Sequence, residues 1–573
     1  MKKLLSVFLA ITLLCVAPFS VYAFNLPETT LNTSSYATLE ENSLFSPEFV
    51  SRQLSKRSLT PKVEAQLDSR ESLPTSVDNS TSLCFPVIGS QGDYGSCGAW
   101  ASVYYAYTYE VNRLHNTPAR ELNSAGQYVN IEENVYSPTW VYDVMTGAHG
   151  AESANIDWCF EFSQFHGQLS LADLPYYGSG VTYPNLPTDT EKIVGALSTR
   201  ISSWEDEVIT IDTQIDGLIT SPGDTQLDAM KSALADGHVL VVAASWAFET
   251  KTANNGEEIA YRFHREPGKA HAVTVVGYSD VVGCDINGDG QITMSERGAF
   301  KIANSHGLVN NKGFLWVSYD ALNHITSVSS ADDSSVGWDQ SDTTTRAAAF
   351  GLNFDINWML KMNVADYDVQ YACVIDSDIR ITDHLNIYLK RSKDDGSDAT
   401  DEVHYHSGAN YMDVGDFSCI LAYDYEALAN PIEAYLSGYT WHMRSSHPES
   451  ITINSCTMYD NAGQLIKPFS YVQATDTWQC DLDLILGDVD YDGSLTITDF
   501  TLLYSHAGGQ ATLPSNLQLI LADMNSDGAI NTQDALLLYA VISNNLAADS
   551  PQLLELQQVA EELLIQVSGA ERD

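Results

Sequence analysis

A twelve-residue pattern of oxygen-bearing side chains is repeated near the carboxyl end of this 573-residue chain. The first copy spans Asp488–Asp499 and the second spans Asp523–Asp534, an offset of 35 residues. Each copy precedes an apolar stretch of helical length, Phe500–Ala507 and Ala535–Ile542. Oxygen ligands at positions 1, 3, 5, 7 and 12, with glycine at position 6, are what an EF-hand calcium loop requires. The repeat therefore predicts a small helical module with two calcium loops.

Most ligand positions of the two loops hold aspartate, which also replaces the usual glutamate at position 12. The predicted calcium ligands are Asp488, Asp490, Asp492, Ser494 and Asp499 in the first loop, and Asp523, Asn525, Asp527, Ala529 and Asp534 in the second. No helix of EF-hand type is predicted before either loop. Over about residues 487–546 this arrangement resembles type I dockerins. The resemblance implies a cohesin module of a cellulosome scaffold as the partner, and a calcium-stabilised cap without a partner is the alternative.

Acidic residues far outnumber basic ones in the chain. The 75 Asp and Glu residues stand against 28 Lys and Arg residues, which gives a formal net charge of −47. Such a surface repels phosphate backbones, so no nucleic acid is expected as a partner. Calcium is favoured instead, because clustered carboxylates are the ligands it prefers. The simpler explanation is an acidic surface that maintains solubility, which accounts for more than half of the negative charge.

Residues 1–23 have the pattern of a secretory signal peptide. A positively charged start precedes the apolar run Leu4–Val16, and cleavage is expected after Ala23. No later stretch reaches the roughly 18 apolar residues that a membrane helix needs, so no membrane span is expected. We therefore expect a secreted protein. Residues 24–72 predict a pro-segment or leader.

One cysteine stands at the start of a predicted helix. The segment from Gln91 to Cys97 precedes apolar residues with amphipathic helical spacing, at Trp100, Val103, Tyr104, Tyr107 and Val111. The positive end of a helix dipole favours a thiolate, which is an activated nucleophile for acyl transfer. The side-chain amide of Gln91 is a candidate oxyanion donor.

A histidine and an asparagine complete this constellation further along the chain. His271 opens the apolar run Ala272–Val276, which predicts a strand. Asn304 follows Gly298–Ala303, at the end of another predicted strand. The polar residues thus occur in the chain order Gln, Cys, His, Asn.

This order resembles the papain family of cysteine peptidases, over about residues 73–320. The resemblance implies that Cys97 is the nucleophile, that His271 is the general base and acid, that Asn304 orients the imidazole, and that Gln91 and the Cys97 amide hold the oxyanion. It also implies a protein or peptide as substrate.

Three residues depart from the family pattern. The first aromatic residue after the nucleophile is Trp100, later than usual. Tyr94 stands where the family has a framework cysteine, and His306 stands where a tryptophan shields the Asn–His hydrogen bond. None of these changes removes a catalytic group. His238 and His264 lie outside the motifs and are expected to be structural or exposed.

A third calcium-loop pattern lies at residues 285–296, between the predicted base and its orienting asparagine. Its predicted ligands are Asp285, Asn287, Asp289, Gln291 and Glu296. Calcium in this loop would be structural, because the loop joins the two strands that carry His271 and Asn304. An accidental acidic turn is the alternative.

The chain as a whole predicts a multidomain fold. Residues 73–344 are expected to form a papain-like α+β peptidase domain. Residues 345–482 contain short β-prone runs between turns, which predict a β-sandwich. The dockerin at 487–546 is followed by a predicted C-terminal helical tail at 547–573.

These patterns together predict a secreted thiol endopeptidase, associated with a cellulosome at the cell surface. One alternative is a catalytically inert papain-like module that acts in binding or scaffold occupancy. Another is a different thiol acyl transfer, such as amide hydrolysis on cell-wall peptides. The cysteine pairing stays open, with Cys456 and Cys480 as one candidate pair.

Overall fold

A computed structural model gives the fold of this protein as two compact units. The residues that the structure describes are 73–146, 154–177, 180–203, 208–211, 225–265, 270–319, 321, 325–327, 357–369, 371–380, 385–393, 403–407, 416–425, 439–445, 451–482 and 484–545. The first unit contains the described residues up to Ala365, except Gln164–Leu169 and Leu186–Arg200. The second unit contains those two segments and the described residues from Asp366 onward.

Three expectations concern residues outside the described ranges: the signal peptide at 1–23, the leader at 24–72 and the tail at 547–573. They stay predictions. Within the described ranges, no helix combines the length and the apolar composition that crossing a bilayer requires.

Up to Asp366 the chain alternates between helices and strands. The strands are β1 (Ser76–Asp78), β2 (Arg120–Leu122), β3 (Tyr128–Asn130), β4 (Thr199–Ser203), β5 (Val208–Ile211), β6 (Leu240–Ser245), β7 (Ala247–Thr252), β8 (Glu258–Arg265), β9 (Ala270–Gly283), β10 (Arg297–Ala303), β11 (Phe314–Ser318), β12 (Ile325–Ser327), β13 (Asn357–Leu360) and β14 (Asn363–Asp366). The helices are α1, in the consecutive segments Cys97–Ala99, Trp100–Tyr107 and Thr108–His115, then α2 (Thr139–Met145), α3 (Ile156–His166), α4 (Thr190–Gly195) and α5 (Thr225–Ala235). Short helical turns occur at Asn79–Thr81, Glu132–Asn134, Ala196–Ser198, Met294–Glu296 and Val309–Lys312.

The main sheet of the first unit is centred on β9. Its strand order is β12-β8-β11-β10-β9-β6-β13-β5, with β1 beside β9 and β7 beside β8. Strands β9 and β10 are antiparallel, and Ala303 at the end of β10 pairs with Thr274 near the start of β9. Because antiparallel neighbours bring opposite ends together, Asn304, just after β10, comes close to His271.

Helix α1 is the central helix of the first unit. All eight residues of its middle segment, Trp100–Tyr107, are buried. The Thr274 side chain of β9 donates a 3.0 Å hydrogen bond to the Ala101 carbonyl. The sequence predicted an amphipathic helix with one buried face, whereas the middle of the helix is buried on every face.

Close packing at the start of α1 depends on a glycine. A Cβ atom on Gly98 would lie 2.2 Å from the Ala154 carbonyl oxygen, which leaves no room for a side chain. Glycine is thus required after the cysteine because the backbone of Ala154 comes so close, and not because of a role in the reaction.

Strand β13 extends the main sheet after a long undescribed stretch. It pairs with β5 and with β6, for example Met359 with Val242. The predicted boundary at 344/345 precedes this strand, whereas the two compact units divide at Ala365 and Asp366 here.

The second unit contains two antiparallel sheets. Its strands are β15 (Ala372–Arg380), β16 (Leu385–Lys393), β17 (Val403–Ser407), β18 (Asp416–Asp424), β19 (Tyr439–Ser445), β20 (Ile451–Tyr459), β21 (Leu465–Pro468), β22 (Ser470–Val472) and β23 (Thr477–Leu482). The sheet orders are β18-β15-β20-β21 and β17-β16-β19-β23-β22. Trp441 of β19 packs against Tyr371 and Tyr425 beside the other sheet, with ring centroids 4.9 and 4.7 Å away. The predicted β-sandwich is confirmed.

Buried thiols lie in the core of this sandwich. The sulfur of Cys456 is 3.4 Å from that of Cys373, on the neighbouring strand of the same sheet. Cys480 is also buried, on β23 of the other sheet. Cys456 thus lies beside the thiol of Cys373, whereas Cys480 was one candidate partner for it.

Three helices follow the sandwich: α6 (Ile497–Ala507), α7 (Asn516–Ala522) and α8 (Thr532–Asn545). Helix α7, seven residues long, ends directly before the second loop, where no helix of EF-hand type was predicted. Its signal was readable, because Ser515 and Gln518 form a capping box with both reciprocal hydrogen bonds.

Polar contacts join the helical module to the sandwich within the second unit. The Tyr491 hydroxyl donates to Asp460 Oδ2 at 2.9 Å, and Gln518 Nε2 donates to Gln464 Oε1 at 2.8 Å. The Asn516 amide N–H donates to the Asn461 side chain at 3.0 Å. Asp460 and Gln518 are buried, so these bonds lie in a closed interface.

Candidate active site and calcium loops

Cys97 occupies the first position of helix α1. Its side chain is buried, and the backbone groups of Gly98 and Ala272 make hydrogen bonds to the sulfur. Ala272 directly follows His271 on β9, so the thiol at the start of the helix lies near the start of that strand. The preceding Ser96 makes no capping bond to the helix; its hydroxyl pairs with that of Tyr176 at 2.6 Å.

The hydrogen bonds around Asn304 fix the tautomer of His271. Asn304 Oδ1 accepts the backbone N–H of Ser305 at 2.7 Å, which identifies that atom as the oxygen. The same oxygen lies 2.8 Å from His271 Nε2. Because an amide oxygen only accepts, Nε2 must carry a proton. This leaves Nδ1 of the neutral ring as the atom that can take the thiol proton.

Burial sets the charge state of this pair. It raises the pKa of the Cys97 thiol and lowers the pKa of His271 to about 4, although the Asn304 bond acts in the opposite direction. Both changes favour the neutral thiol and the neutral imidazole. Hydrogen bonds to the sulfur and the positive end of α1 favour the thiolate.

Gln91 is bonded to the residue that directly follows Asn304. Its Oε1 accepts the Ser305 hydroxyl at 2.6 Å, and its Nε2 donates to the Tyr94 carbonyl at 2.8 Å. The backbone of Gln91 donates to the Ser305 carbonyl at 2.8 Å. An amide nitrogen has two hydrogens, so a second N–H of Gln91 can reach an oxyanion.

The structure thus brings together the four predicted catalytic residues, Gln91, Cys97, His271 and Asn304, and adds residues that the motifs did not indicate. Ser305 orients Gln91, and Tyr176 donates a 2.9 Å bond to the Gln91 carbonyl. Ser305 could have been suspected from its place after Asn304. Tyr176 is 79 residues from Cys97 in the sequence, and no local pattern points to it.

Aromatic rings take the place of the framework cysteine that the family resemblance led us to expect. Tyr94 packs against Tyr177 and Tyr183, with ring centroids 4.6 and 5.7 Å away. The Tyr177 hydroxyl bonds to the buried Asp143 carboxylate, and burial raises the pKa of Asp143 to about 6. Aromatic packing therefore holds the segment before the nucleophile.

Two rings contact the imidazole of His271. Trp246 lies at 5.0 Å with a 58° tilt, and His306 stacks at 4.7 Å with an interplanar angle of 10°. His238, which was expected to be structural or exposed, pairs with Glu110 at 3.1 Å, in a cluster that includes Arg113. The side chain of His264 lies outside the described set.

The three predicted calcium loops share one hydrogen-bond pattern. In each, the glycine at position 6 donates its N–H to Oδ2 of the aspartate at position 1, at 2.8, 2.9 and 2.8 Å for Gly290, Gly493 and Gly528. These glycines have φ values of 82°, 82° and 81°, a left-handed conformation that other residues rarely adopt. The predicted loop geometry is therefore present three times.

The last residue closes each loop in the same way. The carboxylates of Glu296, Asp499 and Asp534 accept the N–H groups of Thr293, Thr496 and Asn531 respectively, at 2.8, 2.8 and 2.9 Å. Each of the three carboxylates also accepts an N–H from the start of its loop.

The first dockerin loop meets a further requirement for a cation. Asp488, Asp490 and Asp492 present carboxylate oxygens within 4.8 Å of one another. Asp488 is buried, and its Oδ1 has no hydrogen-bond partner among the residues that the structure describes. Burial, together with Asp499 and the neighbouring carboxylates, raises the pKa of Asp488 to about 7. An unpaired buried oxygen among like charges fits a calcium ligand.

The third loop differs in its surroundings. Lys251 donates hydrogen bonds to the carbonyl oxygens of Asp285 and Ile286. Backbone N–H groups, led by that of Gly290, lower the pKa of Asp285. The loop runs from the end of β9 to the start of β10, as predicted.

Residues 486–543 match the family described as Dockerin type I domain. This confirms the predicted dockerin at the carboxyl end of the chain. A comparison with curated proteins finds no match for the chain.

The chain is similar to several solved structures. For bromelain protease from Ananas comosus the identity is 16% and the TM-score 0.28, over 51% of this chain and 100% of bromelain. For digestive procathepsin L 3 of Tenebrio molitor the values are 14% and 0.31, over 58% and 82%. For the cysteine protease and lectin-like domains of a surface layer associated protein of Clostridium difficile they are 12% and 0.32, over 76% and 86%. The chemistry of this site must be argued from its own residues.

Proposed function

We propose that this protein is a cysteine endopeptidase that hydrolyses peptide bonds. The observation that carries the proposal is the 2.8 Å bond from His271 Nε2 to Asn304 Oδ1. This bond fixes the tautomer of His271 in which Nδ1 can accept the thiol proton of Cys97. A histidine held in this way beside a cysteine at a helix start is what acyl transfer through a thiolate needs.

In the proposed mechanism, the thiol proton of Cys97 moves to Nδ1 of His271, and the sulfur attacks the substrate carbonyl. Gln91 Nε2 and the backbone N–H of Cys97 stabilise the oxyanion. His271 then gives its proton to the leaving amine, and a water molecule releases the acyl group. Asn304 keeps the imidazole oriented throughout.

The test is hydrolysis of casein by the full-length protein and by Cys97→Ala. We expect the variant to lose activity and to keep its calcium content and its fold, since alanine removes little volume. Cys419→Ala is the matched control, because Cys419 is an equally buried thiol in the second unit. Turnover by Cys97→Ala would contradict the proposal. A folded but inactive native protein would favour the inert module instead.

We also propose calcium as a structural cofactor in all three loops. The matching position-1, position-6 and position-12 hydrogen bonds support it, and in the first dockerin loop so does the unpartnered oxygen of Asp488. Bound calcium would neutralise the clustered carboxylates and hold each loop closed. The ion takes no part in peptide hydrolysis.

The proposed partner of the dockerin is a cohesin module, and the proposed location is a cellulosome outside the cell. Apolar side chains on α8 support an interaction surface: Leu536 and Leu537 are 56% and 43% exposed. Binding should require calcium, and chelation should abolish it. Substitution of the pair Thr532 and Gln533 at the start of α8, compared with Ile497 and Thr498 at the start of α6, tests which helix the cohesin contacts.

A further inference from the structure

The imidazole rings of His271 and His306 are stacked. Their planes are 10° from parallel and their centroids are 4.7 Å apart. His306 is exposed to solvent, whereas His271 is buried. A backbone bridge between Ser90 and His306, and a 2.9 Å bond from the Gly307 N–H to the Gly89 carbonyl, hold the backbone on both sides of the ring. The backbone that carries the His306 ring is therefore held beside Gly89 and Ser90.

The proposed reaction requires a positive charge on His271. That charge arises when the thiol proton of Cys97 moves to Nδ1, and no other atom changes its bonding in this step. A second imidazolium stacked at 4.7 Å would repel the first, since like charges at short distance disfavour each other. Partial desolvation of its ring lowers the pKa of His306, and a charge on His306 lowers the pKa of His271.

Among the described residues, the segments that flank this stack carry few charged side chains. On the described segments that flank His306, the charged side chains are Asp93, near the bridged Ser90, and Lys312 on its own loop; both are exposed. Cys97 lies close to the base, because the backbone of the adjacent Ala272 makes a hydrogen bond to its sulfur. Trp246 contacts His271 without a charge. His306 is thus the titrating group that makes direct ring contact with the base.

We propose that His306 is a positioning residue that sets the acid limit of catalysis. When neutral, it covers the His271 ring and supports the thiolate–imidazolium pair. When protonated, it disfavours the cation on His271 and so returns the proton to Cys97. A side chain that covers the His271 ring in the same way but does not titrate would keep the Cys97–His271 pair active at lower pH. This inference rests on the proposed peptidase function.

The experiment compares the pH dependence of kcat/KM for the native protein, His306→Trp and His306→Gln. We expect both variants to keep, near pH 5, about tenfold more of their plateau activity than the native protein keeps, because one inhibitory protonation is removed. His115→Gln, a change at an exposed histidine of α1, should leave the acid limb in place. Two substituents of different size guard against a folding defect in either one.

A second readout is the rate at which a neutral alkylating agent modifies Cys97, measured against pH. This rate follows the thiolate whether or not peptides are hydrolysed. In both variants the titration of the thiolate should move to lower pH. Acid limbs and alkylation profiles that coincide with those of the native protein would overturn the role of His306. Shifted alkylation in a protein that hydrolyses no peptide would instead retain this role and refute the peptidase assignment.

Discussion

The Ser305 hydroxyl donates a 2.6 Å hydrogen bond to Oε1 of Gln91. The preceding residue, Asn304, accepts from His271 at 2.8 Å. Two consecutive residues after β10 therefore orient the proposed base and the proposed oxyanion donor. The end of strand β10 thus positions both the proposed base, His271, and the proposed oxyanion donor, Gln91.

Replacing Ser305 with alanine should slow the chemical step. Without the hydroxyl, the Gln91 amide loses the bond that fixes its Oε1 and keeps the bond from Nε2 to the Tyr94 carbonyl, so the amide is oriented less tightly. We expect kcat to fall about tenfold to a hundredfold, with little change in KM, because the interaction acts on the transition state. Peptide kinetics measure this, with Ser124→Ala in the exposed β2–β3 turn as the control. An equal loss in both variants would contradict the assigned role.

Asn304→Ala should be less damaging than His271→Ala. The asparagine fixes the tautomer of the base and exchanges no proton itself. We expect activity to fall to roughly a hundredth with Asn304→Ala, and to background with His271→Ala. Single-turnover rates compared at one pH separate the two. If the two substitutions were equally damaging, Asn304 would have a larger part than orientation.

The site residues could be predicted from sequence because each lies in a local pattern. Cys97 begins a helix, His271 begins an apolar strand and Asn304 ends another, so the predicted papain-like α+β fold brings them together. The structure confirms this arrangement of helix and sheet. The glycine repeat of the calcium loops was equally readable, since φ near 80° excludes most other residues at position 6.

The contacts that sequence did not predict join residues distant along the chain. The family resemblance placed His306 near the Asn304–His271 hydrogen bond, but no periodicity encodes the backbone bridge between His306 and Ser90. The contact between Tyr491 and Asp460 depends on how the dockerin meets the sandwich within the second unit. Such pairings follow from tertiary packing, which a pattern of residue types does not specify.

Calcium stoichiometry tests the three loops separately. The native protein should bind three ions, and Asp285→Ala, Asp488→Ala and Asp523→Ala should each bind one fewer, because position 1 supplies a ligand and anchors the position-6 glycine. Equilibrium dialysis of the full-length protein gives the count. If Asp285→Ala binds as much calcium as the native protein, the loop between β9 and β10 is only an acidic turn.

Tyr491→Phe should weaken the link between the first dockerin loop and the sandwich. The phenol bonds to Asp460 and pairs with the Ser515 hydroxyl at 2.9 Å each, and Asp460 is fully buried. Loss of the donor leaves a buried carboxylate oxygen without this partner, at a cost of about 1–3 kcal/mol. Thermal unfolding with excess calcium measures the loss. Tyr471→Phe, at a 50% exposed tyrosine, is the control and should change stability little.

The second unit should lose stability as the pH falls from about 6.5 to 4. His166 is fully buried, its Nδ1 lies 2.8 Å from the Ala422 carbonyl, and burial lowers its pKa to about 4. In this window the unfolded chain binds a proton that the folded chain does not, so the free energy of unfolding decreases with decreasing pH. The decrease is at most about 3 kcal/mol from this group, at about 1.4 kcal/mol for each pH unit.

Denaturant unfolding across that pH range, followed by a probe of the second unit, tests the role of His166. Excess calcium keeps the loop carboxylates from contributing their own proton uptake. In His166→Gln the pH dependence should be flatter, because the amide can still donate to the Ala422 carbonyl but does not titrate. His115→Gln, at an exposed position, should keep the native slope. An unchanged slope in His166→Gln would mean that other groups cause the acid sensitivity of this unit.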